Sequence, residues 1–137
     1  MKVKVTPSKV SGNVKIPASK SMAHRALICA SLSDGTSIVS NVTNSKDIEA
    51  TVGCMKALGA IIKQIDETTY EVTGTNLFKQ EGNITCNANE SGSTLRFLIP
   101  LAACTNAKVK FLGQGRLLQR PMDVYANEFK KQNIEFN

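Results

Sequence analysis

Ser19-Lys20-Ser21-Met22-Ala23-His24-Arg25 follows Pro17-Ala18 and runs straight into Ala26-Leu27-Ile28-Cys29-Ala30. An apolar run entered through a turn and a serine predicts a helix over residues 21–31, its polar residues gathered at the N-terminus. A hydroxyl, a lysine and free backbone N–H groups converge there, at the end where the macrodipole favours an anion. Arg25 lies four residues after Ser21, one turn further along the same face, so both side chains reach one ligand. The pattern is that of a phosphate or carboxylate trap. An ordinary N-cap serine beside two solvated cations is the competing reading, because such caps are common.

A second segment has the same design. Glu90-Ser91-Gly92-Ser93-Thr94-Leu95-Arg96 follows a strand expected over residues 83–87 and opens the apolar run Phe97-Leu98-Ile99-Pro100-Leu101-Ala102. Gly92 at the centre of the turn lets a ligand approach the backbone closely, and Arg96 has the one-turn spacing from Gly92 that Arg25 has from Ser21. A third basic element, Gly113-Gln114-Gly115-Arg116-Leu117-Leu118-Gln119-Arg120-Pro121, precedes a helix expected over residues 121–131. Proline suits a first-turn position, which puts Arg120 at the N-cap edge with a guanidinium able to grip a carboxylate bidentately. Arg96 and Arg116 have a plainer reading as partners in ion pairs with Glu90 or Asp123.

Outward from these segments the chain alternates. Val3-Lys4-Val5 and residues 13–16 read as opening strands around the turn at Ser11-Gly12, and a strand at residues 37–39 follows the first helix. Ser45-Lys46-Asp47-Ile48-Glu49 starts a second helix in the manner of a capping box, and Gly59 stops it. Strands at 61–65 and 70–72 flank a polar turn at Asp66-Glu67-Thr68. The order then restarts: strand 83–87, helix from Gly92, strand 108–112, helix 121–131, strand 134–136. Pro100 removes a helical N–H and is expected to kink or interrupt its helix. The result is an α/β chain with an internal repeat of element order.

Composition limits the function. The 137 residues are enough for one domain with a core, and 42% hydrophobic with 20% charged residues are those of a globular protein. No stretch approaches the roughly 18 apolar residues of a membrane span, and the start lacks a signal-peptide core, so the expectation is a cytoplasmic protein without a membrane partner. Cys29, Cys54, Cys86 and Cys104 show no paired spacing and each lies in an apolar run, so buried reduced thiols are expected. The single histidine, His24, completes no metal motif; it reads as an exposed or satisfied helix residue, and Asp47 as a first-turn dipole partner. The net charge of +6 raises nucleic-acid binding. Against it, Trp is absent, no helix carries a dense basic stripe, and Lys130-Lys131 beside Glu128 is a solvated face. The basic residues of interest sit at turns, which suits small polyanions better.

The three segments resemble the 5-enolpyruvylshikimate-3-phosphate synthases (3-phosphoshikimate 1-carboxyvinyltransferases) over residues 8–130. The early Lys-Ser-x-x-x-Arg signature stands as Lys20, Ser21 and Arg25. The glycine turn, usually Asn-x-Gly-Thr with Arg three residues on, stands as Glu90-Ser91-Gly92-Ser93 with Arg96. Arg-x-x-x-Arg-Pro stands as Arg116 to Arg120-Pro121. Glu90 departs from the commoner Asn, and Ser93 replaces Thr while keeping the hydroxyl.

The resemblance implies repeated βαβαββ units of an inside-out α/β barrel, with helices inside and sheets outside. Residues 1–19 would be opening strands belonging to the other domain of the full enzyme. Residues 20–137 would be a partial N-terminal substrate domain, one unit complete and the second broken off within a strand. The implied reaction transfers the enolpyruvyl group of phosphoenolpyruvate to the 5-hydroxyl of shikimate 3-phosphate, with no cofactor and no metal. Lys20 would face both substrates as the catalytic group, Ser21 and Arg25 would hold shikimate 3-phosphate, and the Gly92 N–H and Arg120 would hold phosphoenolpyruvate. Ser93, Arg96 and Arg116 follow as supports. The implied partners are the two substrates and the missing C-terminal portion of the same enzyme. The related UDP-N-acetylglucosamine enolpyruvyl transferases typically carry Lys-Asn at the first signature and a reactive cysteine in the loop near Arg116. Here Ser21 follows Lys20, and residues 113–121 contain no cysteine. A non-catalytic anion-binding module is the alternative from a different class.

Overall fold

A computed structural model describes residues 2–137; Met1 lies outside them. Helix α1 (Lys20–Leu32) begins where Ser19, in extended conformation, accepts a hydrogen bond from the Met22 N–H at 3.4 Å. It buries Ala23, Leu27 and Ile28 on one side, a spacing that keeps them on one helical face. Helix α2 (Lys46–Ala57) is capped by Ser45, whose hydroxyl accepts from the Ile48 N–H at 3.3 Å. The third helical residue is Ile48, so the reciprocal half of the expected capping box is missing. Asp47 and Glu49 in its first turn and Lys56 in its last complement the dipole instead.

Strands β1 (Thr36–Val39), β2 (Ile61–Gln64) and β3 (Tyr70–Thr73) form an antiparallel sheet with β3 in the centre. Tyr70, Val72 and Ile62 face the core, while Ile38 and Ile61 face outward. The β2–β3 turn is held by Asp66, whose carboxylate accepts from the Thr68 N–H at 2.7 Å. Strand β4 (Glu81–Asn87), helix α3 (Gly92–Ala102) and strand β5 (Asn106–Leu112) make a parallel crossover. A 3₁₀ turn at Gly115–Gln119 leads to α4 (Asp123–Lys131). The core lies between α1, α2, α3 and the sheets, centred on Leu27, Ile48, Met55, Leu58, Val72 and Leu98, none of which meets solvent. Each such side chain stabilises the fold by about 1.5–3 kcal/mol through burial. Helix α2 touches α1, α3 and β4, and so organises the interior.

The α/β class and the strand–helix alternation agree with the sequence reading; several details differ. Residues 2–19 form no strand, and Val3, Val5, Val14 and Ile16 are exposed. Short strands need a neighbouring edge, and these find none among the described residues. Residues 134–136 also stay outside any sheet. Asn133 takes a left-handed conformation, the Ile134 N–H returns to the Phe129 carbonyl at 2.9 Å, and Phe136 meets Phe129 edge-on at 5.5 Å. Helix α4 starts at Asp123, two residues past Pro121. Helix α3 is not interrupted at Pro100, and the Arg96 carbonyl that loses its helical N–H accepts from the Tyr125 hydroxyl instead. Only Cys54 and Cys86 are buried; Cys29 and Cys104 are exposed, on the outer side of α1 and just after α3.

Candidate functional site

The first turns of three helices meet at one end of the core. Lys20 is the first residue of α1, and its Nζ lies 2.5 Å from the Asp47 carboxylate in the first turn of α2. Both groups are partly solvated, so the pair is a weak tether. Arg25, one turn along α1, donates to the Ser21 carbonyl at 2.8 Å. Its guanidinium sits over the Phe97 ring of α3, 4.8 Å from the centroid. Ser21 and Arg25 are exposed on a shared face. The sequence placed them so by spacing, and the structure ties that face to α3 as well.

Gly92 opens α3 and is buried behind its N-cap, Ser91. A Cβ at Gly92 would collide with the Arg120 guanidinium, so the arginine lies directly against the glycine. The loops carrying them are stapled together. The Ala88 N–H donates to the Leu112 carbonyl and the Gln114 N–H to the Asn89 carbonyl, each at 2.8 Å. The Glu90 carboxylate rests against Gly115, whose positive φ of 56° is a conformation that favours glycine. Arg120 itself stands at the end of the 3₁₀ turn, three residues before α4, and not at that helix's N-cap edge; Met122 occupies the cap. Ser93, Arg96 and Arg116 are exposed, and neither Arg96 nor Arg116 forms an ion pair with Glu90, Asp123 or any other described acid. A pocket of about 180 Å³ beside Arg120 is lined chiefly by Leu95, Phe111, Leu117 and Met122, an apolar hollow unlike an anion site.

Beneath these groups runs a buried polar chain that local sequence patterns did not reveal. His24 Nδ1 is 2.7 Å from the Thr51 hydroxyl, Thr51 is 2.7 Å from the Thr94 hydroxyl, and Thr94 donates to Ser91 at 2.7 Å. The Asp47 carbonyl lies 3.3 Å from both threonine hydroxyls. One residue from each of α1 and α2 thus joins two at the start of α3. Burial lowers the His24 pKa and Lys20 and Arg25 push it the same way, while Asp47 opposes them. The ring is neutral around pH 7. His24 is accordingly a wholly buried residue, and Asp47 does more than serve the dipole: it holds Lys20.

Three helix N-termini flanked by Lys20, Arg25 and Arg120 define an α/β domain whose chemistry suits anions. Residues 4–137 match the family model described as EPSP synthase (3-phosphoshikimate 1-carboxyvinyltransferase). A 3-phosphoshikimate 1-carboxyvinyltransferase of Clostridium perfringens (strain SM101) is 49% identical over 136 residues, 99% of this chain and 32% of that protein. The namesake of Clostridioides difficile (strain 630) is 47% identical, with 98% of this chain and 33% of that protein covered. Among solved structures, an EPSP synthase from Acinetobacter baumannii superposes with a TM-score of 0.73 over 90% of this chain and 28% of that one. At 20% identity that match speaks for the fold alone. The chain belongs to the EPSP synthase family. It spans about a third of the length of the curated relatives it matches.

Proposed function

We propose that this chain carries part of the substrate site of a 3-phosphoshikimate 1-carboxyvinyltransferase. The 5-hydroxyl of shikimate 3-phosphate adds across the enol double bond of phosphoenolpyruvate, and the tetrahedral intermediate then eliminates inorganic phosphate. The observation that carries the reading is the meeting of three helix N-termini under Lys20, Arg25 and Arg120. Each substrate bears a phosphate and a carboxylate, so the site must gather like charges, and oriented N–H groups with fixed cations do that work once water is closed out.

In this reading Lys20 stands between the substrates and faces the charge that moves during addition and elimination. Ser21 and Arg25 hold shikimate 3-phosphate, while the Gly92 N–H and Arg120 hold phosphoenolpyruvate. Ser93, Arg96 and Arg116 support them. The Lys20–Asp47 pair supports the assignment, because the carboxylate orients the lysine at the first turn of α1 until an anion competes for it. The finer architecture we infer is a series of βαβαββ units in an inside-out barrel, with residues 2–19 adding strands to the other domain. The apolar, unpaired side chains of Val3, Val5, Val14 and Ile16 favour that assignment. The remaining partner is the C-terminal portion of the same enzyme, in the cytoplasm.

Half a cleft cannot hold both reactants in one closed geometry, so the chain by itself turns over no substrate. Calorimetric titration of shikimate 3-phosphate into the chain, with Arg25→Ala as control, tests the site. Binding that disappears in the variant is expected. Binding of duplex DNA with a steep salt dependence, and none of the sugar phosphate, would replace this reading with a nucleic-acid module.

A further inference from the structure

The His24–Thr51–Thr94–Ser91 chain is buried throughout, each member 3% exposed or less. His24 Nε2 is the one buried side-chain nitrogen or oxygen among the described residues without a hydrogen-bond partner. The direction of the chain is set at its far end, where the Thr94 hydroxyl donates to Ser91. With the proton on Nε2, a buried N–H would face no acceptor; with the proton on Nδ1, the Nε2 lone pair stays unpaired and the Ser91 hydroxyl hydrogen is the one left over.

Proton counting then leaves little freedom, since each hydroxyl has one hydrogen. Nδ1–H donates to Thr51, the Thr51 hydroxyl donates to Thr94, and the Thr94 hydroxyl donates to Ser91. The Asp47 carbonyl competes for both threonine protons, but at 3.3 Å against 2.7 Å. Ser91 also accepts the Thr94 N–H at 3.2 Å, closing the cap of α3. The chain begins next to Arg25 on α1 and ends next to Gly92 on α3. Its middle passes through Thr51 of α2, which also touches the carbonyl of Asp47, four residues earlier, whose side chain tethers Lys20.

We propose that His24 and Thr51 are positioning residues that couple the two anion sites through this one-way hydrogen-bond chain. The proposal rests on the functional reading above. An anion drawn to Lys20, Ser21 and Arg25 loads α1; the chain passes that constraint to the Ser91 cap, and so sets the orientation of the Gly92 N–H and of Arg120 against it. Low-dielectric surroundings make such a chain directional and stiff. Neither His24 nor Thr51 touches substrate.

Two measurements decide it. In the chain itself His24 is the only histidine, so its ring nitrogens report without assignment ambiguity. Long-range ¹H–¹⁵N correlation should show the Nδ1–H tautomer near neutral pH; an Nε2–H ring reverses the chain and overturns the proposal. The second uses a complete enzyme made of residues 1–137 joined to the remaining two thirds of the Clostridium perfringens relative. Thr51→Val keeps the shape and removes the link. It should raise the KM for phosphoenolpyruvate by about tenfold, a usual coupling factor between sites. Binary shikimate 3-phosphate affinity should stay within a factor of about two, a change too small to count as coupling, and Thr51→Ser should restore the parent values. Equal loss of both substrates, or no rescue by serine, shows a merely structural residue and overturns the proposal. An inactive parent enzyme counts against the functional reading, and the tautomer then decides the chain on its own.

Discussion

The Tyr125 hydroxyl of α4 donates a 2.9 Å hydrogen bond to the Arg96 carbonyl of α3, the acceptor that Pro100 leaves without its helical N–H. A helix interior loses a bond and stiffness at proline, yet α3 passes through it intact. The repair comes from another helix, so a local defect has become a tertiary contact. It also holds α4 beside the helix whose first residue is Gly92.

Tyr125→Phe should therefore cost about 0.5–1.5 kcal/mol of stability, the usual net worth of one hydrogen bond. In a Pro100→Ala background the Arg96 carbonyl regains its own N–H, and the same substitution should then cost little. Urea unfolding of the four proteins completes the cycle. Additive effects would show that the tyrosine repairs nothing.

Stability should fall on acidification below the ordinary histidine value of 6.5, because burial holds the folded His24 pKa beneath it. The sign follows from linkage. A lowered folded pKa means that the unfolded chain takes up the proton first, so the contribution is whole above 6.5 and is lost as pH falls toward the folded value. Unfolding midpoints measured on both sides of that value test this, and His24→Gln should flatten the dependence.

Lys20→Ala in a complete enzyme should reduce turnover by about 10²–10³, the usual effect of removing a donor aimed at developing charge. Lys130→Ala, on the solvated face of α4, should change little. Comparable losses from the two would misplace the site.

The Gly92–Arg120 contact gives a sharper test. A methyl at Gly92 must push the guanidinium aside, so Gly92→Ala should weaken phosphoenolpyruvate binding. Arg120→Lys, which keeps charge but loses the fork, should do the same. Both should spare binary shikimate 3-phosphate binding, whereas Arg25→Lys should weaken it. Calorimetry with each ligand reads the split directly.

How much of this was legible beforehand follows the range of the interactions. Helices α1, α2 and α3 begin where Ser19, Ser45 and Ser91 announce them, because capping is a contact between residues three apart. The β2–β3 hairpin likewise reads from Asp66 and its turn. Residues 2–19 and 134–136 carry the alternation of strands, but a strand is stable only through its neighbour, which local pattern cannot supply. The Thr51–Thr94 bond joins residues 43 apart, and Lys20–Asp47 and His24–Thr51 each span 27. No periodicity within one helix marks such a meeting. The motif puts Arg120 at the start of α4, whereas the 3₁₀ turn before it moves that start on to Asp123.

The uneven fate of the four cysteines gives the chain a built-in gauge of its own integrity. Cys29 and Cys104 stand open to a thiol reagent, whereas Cys54 and Cys86 are sealed between α2 and β4, where the neighbouring Cys86 sulfur and burial push the Cys54 thiol well above its ordinary pKa. Two sulfurs should be modified at once. The other two should react only as fast as α2 and β4 part, so the slow half of the labelling curve times the opening of the interior.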